Sequence, residues 1–173
     1  MRLILISLLI TGGWLSSASA ALVAHWKLDE TSGLVADNAV AGSPDGQVGG
    51  SLIWTPGPVD GSAQFNGSNT HIYIPSTVAT SSNWTWTLWV YYDTIATNYD
   101  SILSTDDWAI GTGMHCILRS NGAFAVGLNT GGSDDQTQSA GTLTPGVWHH
   151  IAWTYDAGAA EAKFYIDGLL DVS

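Results

Sequence analysis

The sequence predicts an all-β fold, a sandwich of two antiparallel sheets, on three observations. Apolar and polar residues alternate with a period of two in segment after segment. No apolar i, i+3, i+4, i+7 pattern persists for three helical turns. Gly, Pro, Asn and Asp punctuate the chain between the alternating segments, and 20 of its 173 residues are Gly. About ten short strands joined by turns account for that rhythm. The length argues for one domain, the 45% hydrophobic content supplies a sizeable core, and no internal repeat or linker divides the chain.

The first twenty residues, MRLILISLLITGGWLSSASA, combine Arg2, an apolar run from Leu3 to Ile10 and a small-residue end at Ala18-Ser19-Ala20. That pattern reads as a secretory signal, with cleavage expected after Ala20 and a mature domain over 21–173. The apolar run is shorter than the roughly 18 residues of a membrane span. The expected location is secreted or at the cell surface.

In order, a first strand is expected with Ala24, Trp26 and Leu28 on one face and His25 and Lys27 on the other. A polar loop follows, then short strands at Gln47–Val48 and Leu52–Trp54. TPGPVDGS, with two prolines and two glycines, reads as turn chemistry that breaks any ladder. Ala63–Phe65 and His71–Ile74 flank NGSN and read as a hairpin, because Asn-Gly accepts positive φ at small cost. The clearest strand is WTWTLWVYY. Trp84, Trp86, Leu88, Val90 and Tyr92 are expected to face a core, with Thr85, Thr87, Trp89 and Tyr91 opposite. Further strands are expected at Ser101–Leu103, Trp108–Ile110, His115–Arg119, Ala123–Leu128, Val147–Tyr155 and Lys163–Ile166.

Composition narrows the partners. Four Lys plus Arg stand against 15 Asp plus Glu, a net charge of −11, so a phosphate backbone is repelled and nucleic acid is not an expected partner. The single cysteine, Cys116, forms no intrachain disulfide, and its apolar context GMHCIL predicts a buried, inert thiol. Asn66-Gly-Ser and Asn83-Trp-Thr match the glycosylation sequon, which matters only in a eukaryotic secretory pathway.

LVAHWKLDETSG, DNAVAGSPDGQV, AQFNGSNTHIYIP, WTWTLWVY and PGVWHHIAWTYD followed by AKFYIDG resemble, in order, the landmarks of laminin G-like jelly-roll domains. These belong to the concanavalin A-like lectin/glucanase superfamily. The resemblance implies an antiparallel jelly-roll sandwich, a secreted or cell-surface setting, and binding of glycans or other extracellular ligands. Domains of that family usually continue past the YIDG hairpin, and this sequence ends at Ser173. The expectation is therefore a jelly roll lacking its C-terminal closing strands, with an open sheet edge available to self-association or a partner strand.

On a strand, His149, Ile151, Trp153 and Tyr155 point one way and Trp148, His150, Ala152 and Thr154 the other. The paired histidines of VWHHIAWTYD therefore cannot chelate one ion from that strand, and one is expected to hydrogen-bond within the core or rim. The superfamily's glucanases place glutamates close together on one strand as Glu-x-Asp-x-x-Glu. Here the two glutamates, Glu30 and Glu161, lack such spacing, and the Asp106-Asp107 and Asp134-Asp135 pairs sit in polar stretches. Many jelly-roll relatives hold a structural calcium in rim loops, which need no EF-hand motif to supply oxygens. The segment Asp37-Asn38 to Asp45 resembles the family's Asp-rich loop and is the first candidate, with Asp29 assisting; Asx turns are the plain alternative.

A sugar site needs a flat apolar face and planar polar partners. Tyr99 and Trp108, near STDD, and Asn129, opening the polar loop NTGGSDDQTQ, are the candidates, although most tryptophans are expected in the core. The expected function is a secreted, non-catalytic, lectin-like carbohydrate-binding domain with a structural calcium. The alternatives are a structural or adhesive surface module that binds protein, and a degenerate or incomplete glucanase-like hydrolase.

Overall fold

The computed structural model describes residues 21–74, 83–105, 112–130 and 134–172, with the backbone alone at 112, 128–130 and 134–135. The expected signal segment, the expected strand at Trp108–Ile110 and the Asp106-Asp107 pair lie outside the described residues. Those residues form antiparallel sheets and no helix, as the all-β reading requires.

Two four-stranded sheets enclose the main core. The first contains β6 (Asn83–Val90), β11 (His149–Asp156), β12 (Glu161–Ile166) and β13 (Leu169–Val172), ordered β13-β12-β11-β6. The second contains β7 (Asp100–Ser104), β8 (Thr112–Leu118), β9 (Phe124–Thr130) and β10 (Asp134–Gln138), ordered β10-β9-β8-β7. Met114, Cys116 and Leu118 of β8 and Phe124 and Val126 of β9 pack with Ile151 and Trp153 of β11 and Phe164 of β12. The Phe124 and Phe164 rings, one from each sheet, lie 5.3 Å apart. Trp84, Trp86, Leu88, Val90 and Tyr92 pack against this cluster, as their alternation predicts. Cys116 is fully buried, and that burial pushes its thiol pKa up, out of reach of nucleophilic chemistry.

Two smaller sheets occupy the N-terminal part. One is β1 (Val35–Ala36), β2 (Gly46–Gly49) and β5 (His71–Tyr73), in that order. The other is the hairpin of β3 (Ile53–Val59) and β4 (Gly61–Gln64). Here several sequence expectations are corrected. The expected first strand reduces to a single bridge, Trp26 to Asn38, because Leu28 takes φ +58° and turns the chain away. TPGPVDGS does not end a ladder: β3 runs through Pro56 and Pro58 with a bulge before Val59, which a two-stranded sheet tolerates because its outer edge needs no N–H.

NGSN is not a hairpin between β4 and β5, since β4 pairs β3 while β5 pairs β2. It is instead a turn built on Asn66, whose Oδ1 accepts the N–H groups of Ser68, Asn69 and Thr70. The polar stretch after Asn129 is not all loop either, because Asp134–Gln138 form β10 and Asp134 lies opposite Asn129. The YIDG segment does form a hairpin, with Asp167 and Gly168 at φ +52° and +80°, the pair of signs that a type I′ turn requires.

Candidate functional site

Arg119 organises the most developed polar surface. It follows β8, and its guanidinium donates through one terminal nitrogen to Gln136 Oε1 on β10. In this sheet β9 separates β8 from β10, so the side chain must cross β9, a distance of about 9 to 10 Å between outer strands. Small residues make the crossing possible. Ala123, just before β9, and Ala125, within it, are 2% and 0% exposed. The other terminal nitrogen lies 3.5 Å from the carbonyl of Asn98, and the Tyr99 ring stacks on the guanidinium with 5.0 Å from its carbon to the ring centroid. Nε is buried without a hydrogen-bond partner.

Tyr99 is thus 61% exposed, with its ring backed by a cation on one face. Its loop is fixed by Asp100. One carboxylate oxygen accepts the N–H of Ala96 at 2.8 Å, and the other accepts the N–H and hydroxyl of Thr97 at 3.0 and 2.7 Å. Burial alone would raise the Asp100 pKa, but the Thr97 hydroxyl and the two N–H donors outweigh it and hold the carboxyl below its ordinary value.

Beside this loop Asn98 Oδ1 accepts both the N–H and the hydroxyl of Ser120, each at 3.1 Å. Ser120 opens onto a cleft of about 500 Å³, lined also by Tyr92, Ile95, Asn121, Thr142 and Thr144. None of its lining side chains is acidic or basic. Gly122 keeps the cleft wall tight. Its φ is +86°, and a Cβ there would stand 2.8 Å from the Leu143 carbonyl oxygen and 3.2 Å from the Tyr92 hydroxyl, which donates to that same oxygen at 2.7 Å.

Of the three expected sugar-binding residues, the structure places Tyr99 at this surface. Trp108 lies outside the described residues. Asn129 sits within β9, opposite Gly113 and Asp134, and does not open a loop. Arg119 and Gln136 were missed by sequence reasoning. The usable signal was a lone arginine facing Ala-x-Ala on the neighbouring strand.

The acidic loop is cross-linked by its own side chains. Asp45 Oδ1 accepts the Asn38 N–H at 2.8 Å, Asn38 Oδ1 accepts the N–H groups of His25 and Val40, and Asn38 Nδ2 donates to the Pro44 carbonyl. Asp29 pairs with Lys27 at 3.1 Å. The Asp37 N–H donates to Glu30 Oε1 at 2.7 Å, whereas Glu30 Oε2 is buried with no hydrogen bond. The β3–β4 turn closes over this region, since a Cβ on Gly61 would lie 2.5 Å from Asp29 Cα. No three His, Cys, Asp or Glu side chains converge as a metal cluster among the described residues. Glu30 Oε2 is the one buried carboxylate oxygen in this loop that the described residues leave without a hydrogen bond.

The paired histidines divide as alternation predicts. His149 Nε2 accepts the Thr144 N–H at 2.9 Å, so Nδ1 carries the proton and donates to Asp167 Oδ2 at 2.8 Å. Both ring nitrogens are occupied, and His149 acts as a clasp between the 142–144 loop and the Asp167 turn. His150 lies on the other face against Trp89. The His149 hydrogen bond, followed by the His150 N–H, holds the Asp167 carboxyl below its ordinary pKa. A carboxyl depressed in the folded state adds stability above its unfolded pKa of about 3.9, and that stability disappears as pH falls through the folded value. Melting curves from pH 5 downward should therefore show a smaller acid-induced fall in Tm for Asp167→Asn than for wild type; parallel falls would refute the clasp.

The fold and this surface define a class: a β-sandwich with an aromatic platform beside an uncharged, hydroxyl-lined cleft. The chain belongs to the concanavalin A-like lectin/glucanases superfamily, whose laminin G-like family model matches residues 66–173. The match begins at Asn66, so the acidic loop precedes it. The chain is also similar in structure to an S-layer domain-containing protein from Clostridium thermocellum (its residues 221–444). The TM-score is 0.61 at 21% identity, over 86% of this chain and 70% of that one, a likeness that shows the fold alone. No curated protein matches the chain.

Proposed function

We propose that the protein is a secreted or cell-surface, non-catalytic carbohydrate-binding domain that takes an uncharged glycan at Tyr99 and the adjoining cleft. The observation that carries this reading is the exposed Tyr99 ring, backed by Arg119 and set beside a 500 Å³ cleft without ionisable carboxylates or amines. Pyranose C–H groups pack on such a ring, and the hydroxyl and amide groups of Ser120, Asn121, Thr142 and Thr144 meet sugar hydroxyls. Superfamily membership and the extracellular-type sequence start support the location. The glutamates support the non-catalytic part, since Glu30 holds a backbone N–H and Glu161 pairs with Lys163 at 2.9 Å.

A glycan array followed by calorimetry tests the reading. Wild type should retain uncharged glycans, and Tyr99→Ala should bind them about tenfold more weakly, the loss of one aromatic contact of about 1.4 kcal/mol. A folded sample that retains no glycan overturns the lectin reading, and release of reducing sugar from polysaccharide overturns its non-catalytic part.

A structural calcium in the Asp29–Asp45 loop belongs to the same proposal, supported by the unsatisfied Glu30 Oε2. Calcium should raise Tm, EDTA should reverse the rise, and Glu30→Gln should remove the calcium response, because an ion that binds only the folded state stabilises it by mass action. Identical melting with calcium and with EDTA would remove the ion from the proposal.

A further inference from the structure

The outward face of β6 and β11 carries an aromatic strip that the Tyr99 site does not use. Alternation on β6 sends Trp84, Trp86 and Leu88 to the core and leaves Thr85, Thr87 and Trp89 outside. Strand pairing sets Trp89 directly opposite His150, with ring centroids 5.3 Å apart. Just past the end of β6 the row continues with Tyr91 against Trp148, centroids 5.5 Å apart. Trp89 is 45% exposed and Tyr91 42%, and they follow each other at about 7 Å along the chain. A contiguous run of exposed aromatic rings, unlike singly scattered ones, is the kind of apolar patch that marks a binding surface.

Acceptors border the strip. The Tyr91 hydroxyl donates to Asp93 Oδ1 at 2.8 Å, and Asp167, whose side chain is 49% exposed, accepts the His150 N–H.

We infer that this strip is a second binding surface, separate from the Tyr99 cleft, and that its ligand is an uncharged polysaccharide chain. The rings offer faces to pyranose C–H groups, while Asp93 and Asp167 accept hydrogen bonds from sugar hydroxyls. Charge narrows the occupant. With a net charge of −11 and only four Lys plus Arg in the chain, an anionic polymer is repelled, and a second copy of the chain brings the same charge to a face already bordered by carboxylates. An uncharged polyol pays neither cost, and its hydroxyls can donate to the lone pairs those carboxylates keep beside their existing partners. An insoluble polysaccharide presents many parallel chains, so two surfaces on one protein would add avidity without any new contact.

Sedimentation with cellulose and with chitin, beside binding to soluble polygalacturonate, tests the inference. Wild type should sediment with at least one of the two uncharged polymers and ignore the anionic one. Trp89→Ala should lower the partition constant about tenfold, and Trp89→Tyr, which keeps a ring, should restore most of it. Near-UV circular dichroism should show that both variants keep the core signal.

Wild type that sediments with neither uncharged polymer, equal sedimentation of wild type and Trp89→Ala, or preference for polygalacturonate would overturn the inference. So would a change in elution volume of Trp89→Ala on size exclusion with sedimentation unchanged, which would make the strip a contact between copies. Loss in Tyr99→Ala alone would keep the first site and sink this one. Loss in Trp89→Ala alone would do the reverse.

Discussion

Replacing Trp153 by Ala should destabilise the protein by about 3–5 kcal/mol, the range for deleting a fully buried large aromatic side chain. Trp153 is 1% exposed and lies at the crossing point of the β6–β11–β12 sheet, opposite Trp86 on one side and Phe164 on the other. Its ring stacks on Trp86 at 6.3 Å with an interplanar angle of 10°. Because Phe164 in turn meets Phe124 of the opposing sheet, the cavity would open in the seam between the layers, where neither rigid sheet can collapse to fill it. For a domain of this size the loss corresponds to a Tm drop of about 10 °C or more.

Trp153→Phe gives the finer test. The indole Nε1–H is buried without a hydrogen-bond partner, a cost that phenylalanine does not carry. Its destabilisation should therefore fall well below that of Trp153→Ala. Urea denaturation gives both values; equal costs for the two variants would refute a loss dominated by the cavity. Trp89→Ala, on the exposed face, should shift stability by only about 0.5 kcal/mol.

What the sequence disclosed follows from which strands have two different faces. β6 and β11 each have one face against the core and one outward, so their alternation survives in the letters, and even the split between His149 and His150 is readable. β10 is DDQTQ, polar on both faces at the edge of its sheet. Nothing in period or hydropathy separates such a strand from a loop, and so Asn129 was expected to open one.

The N-terminal pairings were hidden for another reason. Asn66-Gly67 signals a turn whether the flanking strands pair with each other or with strands elsewhere, and only the tertiary arrangement chooses. Leu28 shows the limit of alternation itself: residues 24–28 keep an alternating burial, yet a positive φ at one position ends the strand. At the candidate site, an exposed tyrosine in a polar loop was legible. The arginine beneath it was not, because its role depends on two alanines one strand away and a glutamine two strands away.

That dependence gives the second large effect. Arg119→Ala should cost about 2–3 kcal/mol of stability, since a partly buried charged donor loses its bonds to Gln136 and to the Asn98 carbonyl together with its ring contact. It should also weaken glycan binding more than its own distance from solvent would suggest. Without the guanidinium, Tyr99 loses the planar cation on which it rests, and the Asn98–Ser120 link to the cleft loses one of its anchors, so the platform must be ordered at the moment of binding and the entropy is charged to affinity.

Arg119→Lys separates charge from geometry. An ammonium restores the positive charge, but it cannot reach Gln136 and Asn98 together across β9 while presenting a flat face to Tyr99. Lysine should therefore recover part of the stability and little of the binding. Calorimetric titration of all three proteins, each verified folded by its urea transition, decides the matter: wild-type affinity in Arg119→Ala would show that Tyr99 needs no support, and full recovery in Arg119→Lys would reduce the role of the guanidinium to its charge.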